Sequence, residues 1–448
     1  MSTSAATKPS GIPWLGEVPA HWEAKRLKYL ASTNDEALSE TANPTQEIVY
    51  VEIGGVDAVE GIVAKEQLVL EDAPSRARRL VRHGDTIVST VRTYLRAIAP
   101  IRDPEPNLIV STGFAVIRPR ELEPDYLGYA LRSPYFVETI VSRSNGVSYP
   151  GINASEIGNI EVAYPPLPEQ RAIAAFLDER TVRIDGLIAR KQRLVQLLKE
   201  KRQALITRAV TRGLDANVKL KESGVPWLGE VPEHWGVKRF KHVVSVWGRI
   251  GFRGYTTEDL VDEGQGALAL GASHIKDNGR VDVSDPVFLS WEKYYESPEI
   301  MIAKDDLIVV QRGSVGKVAH VHDNLGPATI NPSLVLLKNA QANPRFLLYV
   351  LLGGYIQSKI TTLLNATAVP MLSQEQIGNF DLLLPPRSEQ DAIVDYVDRN
   401  TTRIDALITK VEQAVLRLQE YRTALISAAV TGKVRVLIGR SEDRKIRQ

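Results

Sequence analysis

Cysteine is absent from this sequence, which excludes disulfides, thiolate zinc sites and cysteine nucleophiles. The absence also fits a reducing compartment, and a cytoplasmic location is expected. No run of about 18 apolar residues exists, so no helix is expected to span a membrane. Residues 1–10 are polar and lack the apolar stretch of a secretory signal; they read as a disordered leader. An excess of one charge sign is missing too. The chain has 55 Lys and Arg against 54 Asp and Glu, a net charge of +1. Binding nucleic acid over the whole surface is therefore disfavoured, and any basic face must be local.

Signatures of catalysis are equally scarce. Gly313-Ser314-Val315-Gly316-Lys317 comes nearest to a phosphate-binding loop, but Gln311 and Val318 stand where that motif needs Gly and Ser or Thr. There is no Gly-rich strand-to-helix fingerprint for a dinucleotide or S-adenosylmethionine, and no Asn-Pro-Pro-aromatic motif. His320 and His322 share a face of a predicted strand without a third ligand, which reads as a surface pair and not a metal site. Asp305-Asp306 has no acidic counterpart beyond Asp85 in the first half, which argues against a nuclease centre. No cofactor and no metal are expected.

What the chain does have is size and repetition. Its 448 residues, 44% hydrophobic and 24% charged, allow two to four ordinary globular domains. Residues 11–28, GIPWLGEVPAHWEAKRLK, recur at 224–241 as GVPWLGEVPEHWGVKRFK, with Trp14, His21 and Trp22 answered by Trp227, His234 and Trp235. A second block recurs later. PPLPEQ, ending at Gln170, is answered by PPRSEQ, ending at Gln390. Arg183-Ile184-Asp185 is answered by Arg403-Ile404-Asp405, and Ala209-Val210-Thr211 by Ala429-Val430-Thr431. The offset is 213 residues at the openings and 220 at the later block, a net insertion of 7 early in the second copy. Between the anchors the copies diverge, which suggests one fold used on two targets; neutral drift after duplication is the alternative.

Residues 169–212 contain no proline and are rich in helix formers, with Pro165, Pro166 and Pro168 at the start and Gly213 past the end. Leu177, Ile184, Leu198 and Leu205 recur at seven-residue intervals, interrupted by Lys191, with Leu187 and Leu194 as a second row. Val397, Ile404, Val411, Leu418 and Leu425 do the same in the second copy, beside Leu407, Ala414 and Tyr421. Sustained sevenfold periodicity predicts a helix packed lengthwise on another, and the other copy is the obvious partner. Capping of its own domain alone is the lesser reading.

The globular portions are mixed α and β. Residues 86–89, 114–117, 307–310 and 334–337 read as strands; residues 126–142, broken at Pro134, and 346–364 read as helices. Polar and basic residues gather after these elements in both copies. Arg92, Tyr94 and Arg96 follow a strand in the first, as Gln311, Arg312, Ser314 and Lys317 do in the second. Arg143, Ser144, Asn145 and Tyr149 follow a helix, answered by Thr362, Asn365 and Thr367. Arg, Asn and Gln read base edges; Lys, Ser and Thr more often hold phosphates. These are the candidate DNA-binding residues.

On the WLGEVPxHW openings, the PPxxEQ junctions, the RIDxLI helices and the LIxxAVT endings, twice and in order, the chain resembles the specificity subunit of type I restriction-modification systems. The resemblance implies a mixed α/β fold with a pseudo-twofold internal repeat, in which two target recognition domains are separated by two long helices forming an antiparallel coiled coil. The expected boundaries are 11–165 and 224–384 for the domains, 166–213 and 385–433 for the helices, 214–223 for a linker and 434–448 for a tail. It further implies double-stranded DNA as ligand, two modification (methyltransferase) subunits and the restriction (translocase/endonuclease) subunits as partners, and no catalytic residues in this chain. A protein-binding scaffold is the alternative from a different class; salt-sensitive DNA binding separates the two.

Overall fold

The apolar runs at 86–89, 114–117, 307–310 and 334–337 form strands buried on both faces, and their side chains alternate between two cores. In the computed structural model, which describes residues 6–12, 15–225, 228–249, 254–366 and 370–436, Val88, Ala115 and Ile117 point into one core and Ile87, Phe114 and Val116 into another. Leu307 and Val309 part from Ile308 and Val310 in the same way. A period of two with both faces buried requires a middle layer. That layer is a four-stranded antiparallel sheet, ordered Ile98–Pro100, Thr86–Ser89, Phe114–Pro119, Ala31–Thr33 in the first domain. The second domain repeats the order with Val318–His320, Leu307–Val310, Leu334–Lys338 and Ser245–Gly248.

On one side of this sheet lie the helices. Pro124–Leu131 and Pro134–Arg143 break at the proline, as expected. The single helix expected at 346–364 is also two, Pro344–Leu352 and Gly354–Asn365, bent by 54° at Gly353. On the other side lies a second sheet containing one parallel pair, Glu47–Val51 with Leu108–Ser111 in the first domain and Gly266–Leu270 with Ala328–Ile330 in the second. The copies part company here. Leu108–Ser111 pairs onward with the edge strand Ala77–Leu80, whereas Ala328–Ile330 gains only an isolated bridge to Met301. The divergent sequence between the anchors thus maps to the outer sheet. Thr7–Pro9, within the segment expected to be a disordered leader, pairs with Glu17–Pro19.

The long helices are Leu167–Arg212, 46 residues, and Arg387–Val430, 44 residues. At 1.5 Å per residue they are about 69 and 66 Å long. Gly213 and Gly432, at φ +72° and +75°, adopt the left-handed conformation that ends a helix and that side chains resist. Two structural units emerge, one taking the chain up to Lys191 together with residues from Gln413 on, the other Gln192–Glu412. Each unit therefore contains the start of one long helix and the end of the other, running antiparallel. In the first, Asp185 holds Arg422 through two contacts of 2.8 and 3.3 Å, and Leu177 and Ile184 share a core with Leu425 and Ile426. In the second, Asp405 meets Arg202 at 2.9 Å, and Ile206 and Val210 share a core with Ile393 and Val397.

The buried seam corrects part of the sequence expectation. Leu177, Ile184, Val397, Ile404 and Leu425 are buried and Leu198 half-buried. Leu187 and Leu407, assigned to the companion row, are 44% and 50% exposed, and Leu194 and Tyr421 are exposed as well. The companion row is instead Thr181, Ile188, Val195 and Arg202, answered residue type for residue type by Thr401, Ile408, Val415 and Arg422. Lys191 is half-buried in the seam. Among the described residues no single helix is long and apolar enough to cross a membrane.

Candidate nucleic-acid interface

The repeated motifs first secure each domain to its helix. Glu169 accepts the Trp22 indole N–H at 2.9 Å and lies 2.6 Å from His21 Nε2; Glu389 does the same for Trp235 at 3.1 Å and His234 at 2.8 Å. The buried Gln170 amide donates to Pro165 O at 2.8 Å and accepts from Glu123 N at 2.8 Å; Gln390 repeats this with Pro385 and Asn343 at 2.9 and 2.8 Å. The Glu-Gln pair thus fixes the helix start against two other segments, and the recurring histidines serve that joint. Pro13, Trp14, Pro226 and Trp227 lie outside the described residues.

With the frame fixed, three segments meet at one end of the sheets in each domain. In the first, Thr90 donates from N and Oγ1 to Gly113 O at 2.8 and 2.9 Å, and Ile152 N donates to Thr90 O at 2.8 Å. Asn145 and Gly151 exchange N–H···O bonds of 2.9 Å each, and the Thr93 hydroxyl donates to Ser144 Oγ at 2.8 Å. In the second, Gln311 N donates to Ser333 O at 2.8 Å, Leu372 N to Gln311 O at 3.1 Å, and Arg312 bridges to Met371. Gln311 N to Ser333 O repeats Thr90 N to Gly113 O, and Leu372 N to Gln311 O repeats Ile152 N to Thr90 O, so candidate residues distant in sequence are brought together in both domains.

Side-chain roles separate within this cluster. Arg92 and Arg96, at φ +52° and +54°, flank the short turn Thr93–Leu95; a left-handed arginine is strained, and two in one loop require tight support. The Arg92 guanidinium lies 5.1 Å over the ring of Tyr149, itself 66% exposed. Tyr94, Arg143 and Asn145 are also exposed. Arg96 is tied to Glu138 at 2.6 Å, and the Ser144 hydroxyl to Ile140 O at 2.8 Å, so both brace the loop. In the second domain Arg312, Ser314 and Asn365 are exposed, with Arg312 Nε 3.0 Å from Met371 Sδ. Gln311 departs from its expected role. It is 8% exposed and its amide donates to Pro332 O at 2.8 Å, a brace and not a free reader. Lys317 is paired with Asp277 at 2.9 Å, and the Thr362 hydroxyl donates to Ser358 O at 3.0 Å. Thr367 lies outside the described residues.

The groups weighed for catalysis are engaged elsewhere. Asp85 accepts Arg118 through bonds of 2.8 and 2.9 Å, which raises the arginine's pKa; Asp306 lies 3.6 Å from Lys338, and burial pushes its carboxyl up. His320, expected at the surface, is 6% exposed and 3.0 Å from Asp305; burial lowers its pKa. Sequence reasoning did not single out residues 76–82, whose RARRLVR run starts, at Arg76, at the same end of the first domain. Thr112 N, in the turn before Gly113, donates to Arg76 O at 2.8 Å. Four arginines in seven residues was the available signal.

A twice-used α/β frame that repeats its loop hydrogen bonds while changing the exposed side chains defines a duplicated recognition protein. The sequence matches the family described as "Type I restriction modification DNA specificity domain" over residues 19–195 and 270–417, most of its length, and the chain belongs to that family. It is similar to the type I restriction enzyme MjaVIII specificity subunit of Methanocaldococcus jannaschii, 23% identical, covering 69% of this chain and 70% of that one. The HsdS subunit of Thermoanaerobacter tengcongensis superimposes with a TM-score of 0.51 at 26% identity, covering 93% of this chain and 98% of that one. A chain from a type I R-M system structure shares the fold with a TM-score of 0.74 at 23% identity, covering 93% and 99%.

Proposed function

We propose that this chain is the non-catalytic specificity subunit of a type I restriction-modification complex, each domain reading one half of a split DNA target. The carrying observation is that one hydrogen-bonded loop frame occurs in both domains and presents Arg92, Tyr149, Arg143 and Asn145 in one, and Arg312, Ser314 and Asn365 in the other. A fixed frame with different exposed groups suits two different half-sites. Two readers on stiff helices also make the second contact nearly intramolecular, which raises affinity without new contacts. Modification and restriction subunits would supply methyl transfer, translocation and cleavage.

Co-expression with the modification subunit, followed by single-molecule sequencing of genomic DNA, tests the reading. Methylated adenines in a split motif with a constant gap are expected. An intact complex that leaves DNA unmethylated, or methylates an unbroken motif, is incompatible with two readers.

A further inference from the structure

The two domains differ in how they treat charge at the reading end, and the difference rests on the DNA-reading function above. In the first domain the strand Ala77–Leu80 is the last strand of the outer sheet, its far side met by residues 36–38 through Leu38 N to Arg78 O at 2.8 Å and a bridge between Ala37 and Arg79, and its pairing with Leu108–Ser111 shifts register between Val110 and Ser111. Arg78 is the residue left over at that shift, and such bulges re-aim a side chain away from the regular pleat. Arg76 is exposed beside it, and Arg79 Nε is buried without a hydrogen-bond partner. A continuous set of backbone bonds leads from Arg76 through Thr112–Gly113 to Thr90, Ile152 and Asn145, so Arg76 and Arg78 share an edge with Arg92 and Arg143. Among the described residues none of these four arginines makes an ion pair, whereas Arg96 in the same loop does, as do Arg82, Arg102 and Arg118 at the opposite end of the strands.

Among the described residues the second domain has no such strand. Met301, bridged to Thr329, occupies the place of Leu80, so Ser297-Pro298-Glu299-Ile300 runs where the first domain has Arg76-Ala77-Arg78-Arg79. Its reading-loop lysine, Lys317, is paired with Asp277, which leaves Arg312 as the exposed cation of that loop. Unpaired arginines in a chain with a net charge of +1 suit a polyanion, because each phosphate contact releases a condensed counterion.

We propose that the first domain is the electrostatic anchor of the chain, Arg76 and Arg78 holding DNA phosphates outside the bases that Arg92 faces. The first half-site then carries most of the salt-dependent affinity, and the second domain contributes sequence reading with a weak grip of its own.

The test uses the full-length chain in its complex with modification subunits and measures duplex binding by fluorescence anisotropy across a salt series. For the double variant Arg76→Ala/Arg78→Ala, the slope of log affinity against log salt becomes shallower by about 0.9 per lost phosphate, near 2 in all. The methylated motif stays the same, since phosphate contacts carry no sequence information. Arg76→Lys/Arg78→Lys keeps the charge and the slope. An unchanged slope in the alanine variant overturns the anchor, as does loss in the lysine variant equal to that in the alanine one, which would mark a structural role. Absence of salt-dependent binding by the unaltered complex is a separate result and removes the DNA-reading function itself.

Discussion

Arg92 combines a strained backbone, an exposed guanidinium and an aromatic rest, and these belong together. Tyr149 restricts the side chain before any ligand arrives, so less rotamer freedom is lost on binding. Substitution by lysine keeps the charge but loses the planar fork. Arg92→Lys is expected to lower methylation of the cognate motif about 10- to 100-fold, the discrimination of one bidentate base contact, while bulk DNA affinity barely changes. Unaltered rates and an unaltered motif would remove Arg92 from the readers. Glu389 tests the joint instead of the interface. It serves two donors, Trp235 and His234, so Glu389→Ala should destabilise the second domain by about 1–3 kcal/mol. Glu389→Gln, which keeps an acceptor, should cost less. Thermal unfolding of the full chain checks both, and equal midpoints for all three proteins would refute the joint.

Among elements, the long helices act as the spacing device in the proposed function. Four residues inserted beside Lys191 add about 6 Å of helix and should lengthen the gap in the methylated motif without changing either half. A constant gap would show that the helices are not the ruler. The helices also show what the sequence made legible. Their ends, their length and the main row from Leu177 to Leu205 could be read because proline, glycine and aliphatic residues mark them. The companion row could not. Half of it is threonine and arginine, tolerated in the seam because Thr401 donates to Val397 O at 2.8 Å and Arg422 meets Asp185. The aliphatic Leu187 and Leu407 mimic a seam row while standing on the exposed side. The middle strands were legible as apolar runs; the bend at Gly353 was missed although Gly353-Gly354 marks it, and glycine is needed there for close approach, a Cβ meeting Val350 O at 2.9 Å, and not for its φ of −61°. At the proposed reading end, composition pointed to loops that the fold brings together, but only the fold separated Gln311, buried on Pro332, and Arg96, tied to Glu138, from the ion-pair-free Arg92, and only the edge-strand register brought Arg76 and Arg78 into view.

At the scale of the whole molecule the domains are alike in frame and unlike in response. His320 occupies the place held by Pro100 in the first domain, each at the end of the matching strand pair. Burial depresses the His320 pKa, so the unfolded chain takes up a proton more readily than the folded one. The stability His320 contributes is complete above its ordinary value of about 6.5 and is lost as pH falls below it. Acidification should therefore lower the unfolding temperature of the wild-type second domain, and His320→Asn should flatten that dependence between about pH 7 and 5. An identical pH profile in the variant would place the sensitivity elsewhere.

The sharing of the long helices between units also bears on the order in which the chain is made. The first domain's core includes Leu425, Ile426, Ala429 and Val430, and the Tyr126 hydroxyl donates to Val430 O at 3.3 Å. A ribosome therefore completes residues 11–165 long before the residues that close their core exist, and the nascent domain waits with an apolar flank uncovered. The second domain waits for nothing beyond Glu412. Truncation after Glu412 should accordingly expose the first domain to protease and spare the second, although the cut lies next to the second in sequence. Limited proteolysis with mass mapping reads this directly, and preferential loss of the second domain would refute it. A premature stop near the end of the coding sequence would then damage most the part of the protein made first.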